Sequence, residues 1–210
     1  MKDLLLASLV ALVAAGGCTA FKRLAYDGFG LRDRWQHPER VIRALELREG
    51  QRVADLGAGG GYFTFRLAKA VGASGVVYAV DVDDGMIRYL EKRASEEGYR
   101  NVRTVRAAVD DLRLPEEVDL IFTCNTYHHL EDRAAYFRRA AARLRSGGQV
   151  VIIDYTGEGY RPGAVLQRLT GHAVPARRIR GEMEAAGYRL EREHGFLPRQ
   201  SLLVFVRDGA

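Results

Sequence analysis

The segment "VADLGAGGGYFTFRLAKAVG", from Val53 to Gly72, carries the strongest structural signal in the chain. An apolar run ends at Asp55, four glycines follow within the next six residues, and an amphipathic stretch then continues to Gly72. This pattern predicts a buried strand, a tight turn and a helix, the opening of a βαβ unit. Glycine-rich turns at this place let a ligand approach the backbone, so the sequence predicts a binding site there.

The glycine spacing argues against a dinucleotide. The G-x-G-x-x-G fingerprint counted from Gly57 reaches Tyr62 where the third glycine should stand, and counted from Gly59 it reaches Thr64. No Gly-Lys-Ser/Thr follows, which excludes a P-loop. Asp55 lies two residues before the first glycine, where a carboxylate would repel a phosphate and favour a positive group. We therefore expect a ligand that carries a cationic group such as an ammonium.

Strands and helices alternate along the rest of the chain. Further strands are predicted in "GVVYAVDV", "NVRTVRAAV", "EVDLIFTCN" and "QVVIIDY", with a helix in "EDRAAYFRRAAARLRSGG" that closes on the pair Gly147 and Gly148. The tail "YRLEREHGFLPRQSLLVFVRDG" contains two strands without a helix between them. The sequence thus predicts an α/β fold, with a mostly parallel sheet, helices on both faces and an antiparallel hairpin at its end.

Composition limits the classes of partner. The 210 residues are 47% hydrophobic and 28% charged, as in an ordinary soluble domain, and the net charge of +5 comes from scattered basic residues. We therefore expect no nucleic-acid partner. The two cysteines, Cys18 and Cys124, show no spacing with histidines that suggests a metal site.

The N-terminus, "MKDLLLASLVALVAAGGC", reads as a targeting segment. Its uncharged run from Leu4 to Ala15 is too short to span a bilayer, matches the core of a secretory signal and ends in small residues before Cys18. It resembles a bacterial lipoprotein signal, which implies an exported protein that touches the membrane only through its leader or lipid. An ordinary cleaved signal, an uncleaved anchor and a misassigned start of a cytoplasmic protein remain as alternatives.

Five motifs together resemble class I S-adenosylmethionine-dependent methyltransferases. They are "VADLGAGGGYF", "VYAVDVDDGMI", "AAVDDLRLP", "DLIFTCNTYHHLED" and "LRSGGQVVIIDY", and the resemblance covers residues 33 to 206. It implies a Rossmann-like seven-stranded sheet whose last strand is antiparallel, and S-adenosylmethionine as cofactor. The expected organisation is a leader at 1–18, an extension at 19–36 and a methyltransferase domain at 37–207.

The resemblance also implies roles for single residues. The backbone of Gly57, Ala58 and Gly59 would approach the amino-acid part of the cofactor, and Asp55 would contact its ammonium directly or through water. Asp81 would hold the ribose hydroxyls. Against the adenine would lie Val82 and Met86, with a contact after the third strand from Val109 or Asp110, where the family often has an Asp or Asn and this chain has Ala108. The predicted cofactor set is completed by Tyr62 and Asn125.

The acceptor side is predicted where the fourth strand ends. Asn125, His128 and His129 would lie near the transferred methyl group, and a histidine can serve as base near neutral pH. Further candidates are His172 and the pair Asp154 and Tyr155, although such histidines can instead pack or cap a helix. We expect methyl transfer to a small-molecule acceptor. The alternatives are an exported cofactor-binding protein without transfer activity and, more distantly, an oxidoreductase.

Overall fold

The computed structural model describes residues 32–157 and 171–208, and it confirms the predicted seven-stranded mixed sheet. The strands are β1 (Arg52–Leu56), β2 (Val76–Asp81), β3 (Val102–Arg106), β4 (Val118–Cys124), β5 (Leu144–Tyr155), β6 (Tyr188–His194) and β7 (Gln200–Arg207). The helices within these residues are α1 (Asp33–Gln36), α2 (Pro38–Ala44), α3 (Thr64–Ala70), α4 (Asp84–Glu96), α5 (Arg133–Ala140) and α6 (Ala176–Ala185). The predicted leader lies outside the described residues, as does the extension up to residue 31.

The sheet has the strand order β3-β2-β1-β4-β5-β7-β6. Strands β1 to β5 are parallel, whereas β7 runs antiparallel to both β5 and β6. After β1 the chain builds outward through β2 and β3 and then returns to place β4 on the other side of β1. This reversal opens a crevice at the carboxyl ends of β1 and β4, where ligands bind in open α/β sheets.

Both faces of the sheet are covered because the central strands are apolar on both sides. Val150, Val151, Ile152 and Ile153 of β5 are all fully buried, and they alternate between two cores. One core contains residues of α5 and α6, and the other contains residues of α2 and α3. Burial of each such side chain contributes about 1.5–3 kcal/mol to the stability of the fold. This burial holds in place the strands that form the crevice.

The boundary between α5 and β5 differs from the sequence prediction. Helix α5 ends at Ala140 and a 3-10 turn covers Ala141–Arg143, so the "LRSGG" segment belongs to the strand. Leu144 is buried and pairs with Val118, and the register then shifts before Gln149 pairs with Leu120. The glycine pair serves this irregularity, with Gly147 at φ +71°, instead of ending a helix.

The side chain of Asp83 caps the N-terminus of α4. The Asp83 carboxylate accepts hydrogen bonds from the backbone N–H groups of Gly85 (2.7 Å) and Met86 (3.2 Å), which have no partner within the first helical turn. The cap turns the chain directly after β2 and places Met86 in the interior. In the described part of the chain, no helix combines the length and the apolar content that crossing a membrane requires.

Candidate active site

The glycine loop lies at the carboxyl edge of the sheet between β1 and α3. Gly57 and Ala58 both donate backbone hydrogen bonds to the Val80 carbonyl, at 2.8 and 3.0 Å, which ties the loop to β2. Gly57 has φ +74°, and a Cβ on it would lie 2.1 Å from Oγ1 of Thr126. Only glycine therefore fits at this position, between the end of β1 and the Thr126 side chain that follows β4.

Two cavities adjoin this loop and share part of their lining. The β2 cavity, about 350 Å³, lies over the ends of β1 and β2, and the β5 cavity, about 250 Å³, lies over the ends of β1, β4 and β5. The residues common to both are Gly57, Gly59, Asn125, Thr126 and His129. Together the cavities form one elongated site across the crevice where the strand order reverses.

The β2 cavity combines a fixed carboxylate with apolar walls. Asp81 accepts the Gly59 N–H on Oδ2 and the Asp83 N–H on Oδ1, both at 2.9 Å. Val82 and Val109 line the same cavity and are 51% and 72% exposed, an unusual exposure for large apolar side chains. A carboxylate beside exposed apolar groups suits a nucleoside, because it can accept ribose hydroxyls while the apolar groups cover the base.

Met86 adds to the same wall, whereas Asp110 does not. Met86 is buried and lines the β2 cavity together with Val82. Asp110 lines a separate surface cavity, where its carbonyl accepts a hydrogen bond from Arg139 at 3.0 Å. The structure therefore brings Val109 to the nucleoside side of the site and leaves the Asp110 side chain outside it.

Asp55 is the buried acid of the β5 cavity. It is 3% exposed, and Thr64 at the start of α3 donates a hydrogen bond to its Oδ2 at 2.6 Å. Burial raises the pKa of its carboxyl from 3.8 to about 7, against the opposing effects of Thr64 and Arg32. A cationic ligand group would restore the charged form, so Asp55 can hold an ammonium.

Tyr62 and the segment before α2 form one wall of the β5 cavity. The Tyr62 hydroxyl donates to Asp33 at 2.5 Å, and the guanidinium of Arg32 lies 3.8 Å from the centre of the Tyr62 ring. Trp35 of α1 lines the cavity and packs against Tyr155, with ring centres 6.0 Å apart. Sequence reasoning missed Arg32 and Trp35, because a four-residue helix carries no periodic signal.

Asn125 stands between the two cavities in a left-handed conformation, with φ +59°. Its side-chain oxygen accepts a hydrogen bond from Nε2 of Gln200, and Oε1 of Gln200 accepts one from Nε2 of Gln36 at 2.7 Å. Two glutamines from α1 and β7 thus fix the orientation of the Asn125 amide. Gln200 follows Arg199 in the predicted hairpin, but its contact with Asn125 could not be read from the sequence.

His128 is held by a buried carboxylate. Its Nδ1 lies 2.8 and 3.1 Å from the two oxygens of Asp154, and its backbone N–H donates to Asp154 Oδ2 at 3.0 Å. Asp154 is fully buried and also accepts the Tyr155 N–H at 2.7 Å. This arrangement fixes the imidazole ring of His128, which lines the β5 cavity.

The other two predicted histidines lie beside His128. The His128 and His129 ring centres are 4.0 Å apart, and the His172 ring lies 5.3 and 5.7 Å from them. Partial burial, His128 and then His172 lower the pKa of His129 below its usual value. His129 lines both cavities, whereas His172 is not among the lining residues of either.

Tyr127 and Cys124 belong to the same motif as His128 but lie in different surroundings. Tyr127 is fully buried, and its hydroxyl donates to Glu182 at 2.7 Å. Cys124 lies at the end of β4 and lines the β5 cavity, where burial raises the pKa of its thiol to about 12. Among the residues that the structure describes, no group of three or more histidines, cysteines or acids is placed to hold a metal ion.

Comparisons with known proteins find methyltransferases. The family model of the methyltransferase domain matches residues 53–148. The aklanonic acid methyltransferase DauC of Streptomyces sp. (strain C5) is 25% identical over 189 residues, which cover 78% of this chain and 86% of that enzyme. The ubiquinone/menaquinone biosynthesis C-methyltransferase UbiE of Proteus mirabilis (strain HI4320) is 28% identical over 130 residues, 61% of this chain and 51% of UbiE. The chain thus matches about half the length of UbiE.

A solved structure has the same architecture. The SAM dependent methyltransferase from Aquifex aeolicus superposes with a TM-score of 0.74 at 26% identity, over 83% of this chain and 92% of that one. Fold, glycine loop and relatives define a class I S-adenosylmethionine-dependent methyltransferase. The chain is an enzyme of this class, and its cofactor is S-adenosylmethionine.

Proposed function

We propose that this enzyme transfers the methyl group of S-adenosylmethionine to a small-molecule acceptor that binds in the part of the β5 cavity lined by Trp35, His128 and Tyr155, beside the amino-acid part of the cofactor. The observation that carries the proposal is the pair of adjoining cavities, which present Asp81 on one side of the glycine loop and Asp55 on the other. The name of the relative DauC gives aklanonic acid as its methyl acceptor. Aklanonic acid is a small molecule, which supports a small-molecule acceptor for this enzyme.

The residues of the site fit the cofactor from end to end. The adenine would lie against Val82, Met86 and Val109, with the ribose hydroxyls on Asp81. The amino-acid part would lie over the backbone of Gly57, Ala58 and Gly59, with its ammonium toward Asp55, and Tyr62 and Asn125 would flank it. S-adenosylmethionine supplies a methyl group activated by a sulfonium, so the protein contributes proximity and alignment.

A transfer assay tests the proposal. The full chain is incubated with methyl-labelled S-adenosylmethionine and aklanonic acid, and in parallel with small-molecule extracts of bacterial cells. We expect label in a small-molecule product together with an equal amount of S-adenosylhomocysteine, and none with heat-inactivated protein. A protein that binds S-adenosylhomocysteine but transfers no label to any of these acceptors would instead support the alternative of a cofactor-binding protein without transfer activity.

We further propose that residues 1–18 are a lipoprotein-like signal and that Cys18 is the first residue of the exported, membrane-anchored enzyme. These residues lie outside the described part of the chain, and the support is their sequence: a short apolar core, small residues and then Cys18. Stable anchoring needs more than one lipid chain, as bacterial lipoproteins carry.

Cell fractionation with intact mass measurement tests this location. We expect the wild-type protein in the membrane fraction, with a mass that shows loss of the leader and gain of lipid. The Cys18→Ala variant should lose the lipid and leave the membrane fraction. A soluble cytoplasmic product that retains Met1, or membrane attachment unchanged in Cys18→Ala, would contradict the lipoprotein proposal.

A further inference from the structure

Several titratable side chains line the β5 cavity, and most of them cannot take a proton from an acceptor. Burial raises the pKa of the Cys124 thiol and of the Tyr155 hydroxyl to about 12, so both stay protonated near neutral pH. The Tyr62 hydroxyl is already a donor to Asp33, and Arg32 is a cation. Asp55 accepts from Thr64 at the floor of the site, where the ammonium of the cofactor is expected. Two histidines remain.

His128 and His129 differ in their surroundings and therefore in their suitability as a base. Partial burial and two neighbouring imidazoles make His129 a weaker base, and no carboxylate of residues 32–157 or 171–208 is hydrogen-bonded to its ring. His128 has Asp154 at 2.8 Å from Nδ1. A carboxylate only accepts hydrogen bonds, so Nδ1 carries the proton and Nε2 of a neutral ring presents its lone pair. A base that a buried acid holds in one tautomer is a recurring catalytic arrangement.

The walls of the same cavity indicate the shape of the acceptor. Trp35 and Tyr155 both line the β5 cavity, and their ring planes lie at 32° to each other. Aromatic walls favour a flat aromatic molecule by offset or edge-to-face packing. A phenolic hydroxyl also suits an imidazole base, since its ordinary pKa of about 10 is only about 3.5 above that of histidine.

We propose that His128, positioned by Asp154, takes the proton of an aromatic hydroxyl in the β5 cavity, so that the methyl group is transferred to oxygen. This rests on the proposed function. The O–H bond breaks and the proton moves to Nε2, while an oxygen electron pair forms the bond to the methyl carbon. The carbon–sulfur bond breaks and its electron pair stays on sulfur, which leaves a neutral thioether. Asp154 stabilises the resulting imidazolium, which later releases the proton to water.

The probe for this inference is 4-nitrophenol, with 4-nitroanisole as the matched compound that has no proton to give. Trp35 is the only tryptophan of the chain, so its fluorescence reports on the β5 cavity directly. The protein is first saturated with S-adenosylhomocysteine, and calorimetry records that binding separately. A failure of the proposed function would therefore appear before the probe is added.

With wild-type protein, we expect 4-nitrophenol to quench Trp35 and to absorb as the phenolate at a pH below its own pKa in water. His128→Asn and Asp154→Asn should still bind S-adenosylhomocysteine but lose the phenolate signal at least tenfold, and Asp154→Glu should restore part of it. His172→Asn is the matched control beside the cluster, and it should keep the signal. Circular dichroism checks that each variant is folded.

Three results would overturn the inference. The first is an equal phenolate signal in wild-type protein and in His128→Asn. The second is bound 4-nitrophenol that stays neutral in wild-type protein. The third is no quenching of Trp35 by either compound in protein that binds S-adenosylhomocysteine, which would exclude the aromatic acceptor and leave the proposed function in place.

Discussion

Two carboxylates at neighbouring strand ends have opposite physical characters. Asp81 is only partly buried, and its oxygens accept main-chain N–H groups of Gly59 and Asp83, which hold a charged carboxylate in place. Asp55 is buried with one hydroxyl donor, Thr64, so its charged form lacks a full set of partners. The first suits neutral hydroxyls and the second suits a cation, which matches the two ends of S-adenosylmethionine.

Replacement of Asp81 tests the hydroxyl end. We expect Asp81→Ala to weaken S-adenosylhomocysteine binding by about 1–3 kcal/mol, the usual loss for hydrogen bonds to a charged group. Asp110→Ala is the matched control, because the Asp110 side chain lies outside the β2 cavity, and its affinity should equal that of the wild type. Calorimetry measures both, with thermal melting as the check on folding. An unchanged dissociation constant in folded Asp81→Ala would remove Asp81 from the ribose.

The raised pKa of Asp55 makes binding depend on pH. The pKa is about 7 in the folded protein against 3.8 as the ordinary value, so Asp55 is protonated below pH 7 and must lose that proton to pair with the ammonium. Affinity for S-adenosylhomocysteine should therefore rise with pH, by up to about tenfold for each pH unit below 7. Calorimetry at pH 5.5 and pH 8 measures this rise, and Asp55→Asn should abolish it. An equally steep rise in Asp55→Asn would assign the effect to another group.

The same shift predicts the opposite trend for stability without ligand. Between about pH 4 and pH 7 the folded protein keeps the Asp55 proton that the unfolded chain releases, so this contribution to the free energy of unfolding decreases as pH rises. Denaturant unfolding with and without S-adenosylhomocysteine should show a ligand-induced gain that grows from pH 5.5 to pH 8. A gain that is independent of pH would contradict the assigned role of Asp55.

At the scale of elements, the glycine loop is tied to β4 by a close approach. Gly57→Ala and Gly98→Ala form a matched pair, since φ is +74° and +75°, but only the Cβ at position 57 would meet a side chain, that of Thr126. Gly98→Ala should lower the free energy of unfolding by about 1–2 kcal/mol, because alanine is strained in the left-handed conformation. Gly57→Ala should cost more and should also weaken cofactor binding. Denaturant unfolding and calorimetry compare them, and equal losses would show that the contact with Thr126 is unimportant.

Most elements could be predicted from the sequence because their signals are local. Apolar runs that end in an acid predicted β1 and β2. The end of α5 was predicted wrongly, because a glycine pair looks the same whether it ends a helix or serves a bulge, and the pairing of Leu144 with Val118 decided it.

The cofactor side of the site was predicted more fully than the acceptor side. Asp55, the glycines and Asp81 adjoin strands whose carboxyl ends meet at one edge, so topology alone gathers them. His128 and Asp154 were both candidates, but they are 26 residues apart, and their contact depends on how β4 pairs with β5. Trp35 comes from a helix outside the motifs. Contacts between elements distant in sequence were thus the part that needed the structure.

At the scale of the whole molecule, the reversal of strand order and the terminal hairpin meet at the site. At this reversal the chain segments that follow β1 and β4 lead to helices on opposite faces of the sheet, which leaves the crevice for both cavities. The hairpin of β6 and β7 contributes Gln200, which holds Asn125 in place between the β2 cavity and the β5 cavity. The antiparallel strand therefore supports the binding site as well as closing the edge of the sheet.

The crevice is suited to S-adenosylmethionine and not to a dinucleotide. Tyr62 occupies the position of the third fingerprint glycine, and buried Asp55 would oppose a pyrophosphate. Calorimetric titration of the full chain with S-adenosylhomocysteine and, separately, with NAD compares the two ligands directly. We expect saturable one-to-one binding of S-adenosylhomocysteine that Asp81→Ala weakens, and no heat of binding with NAD. Binding of NAD without any response to S-adenosylhomocysteine would show that the crevice is a dinucleotide site.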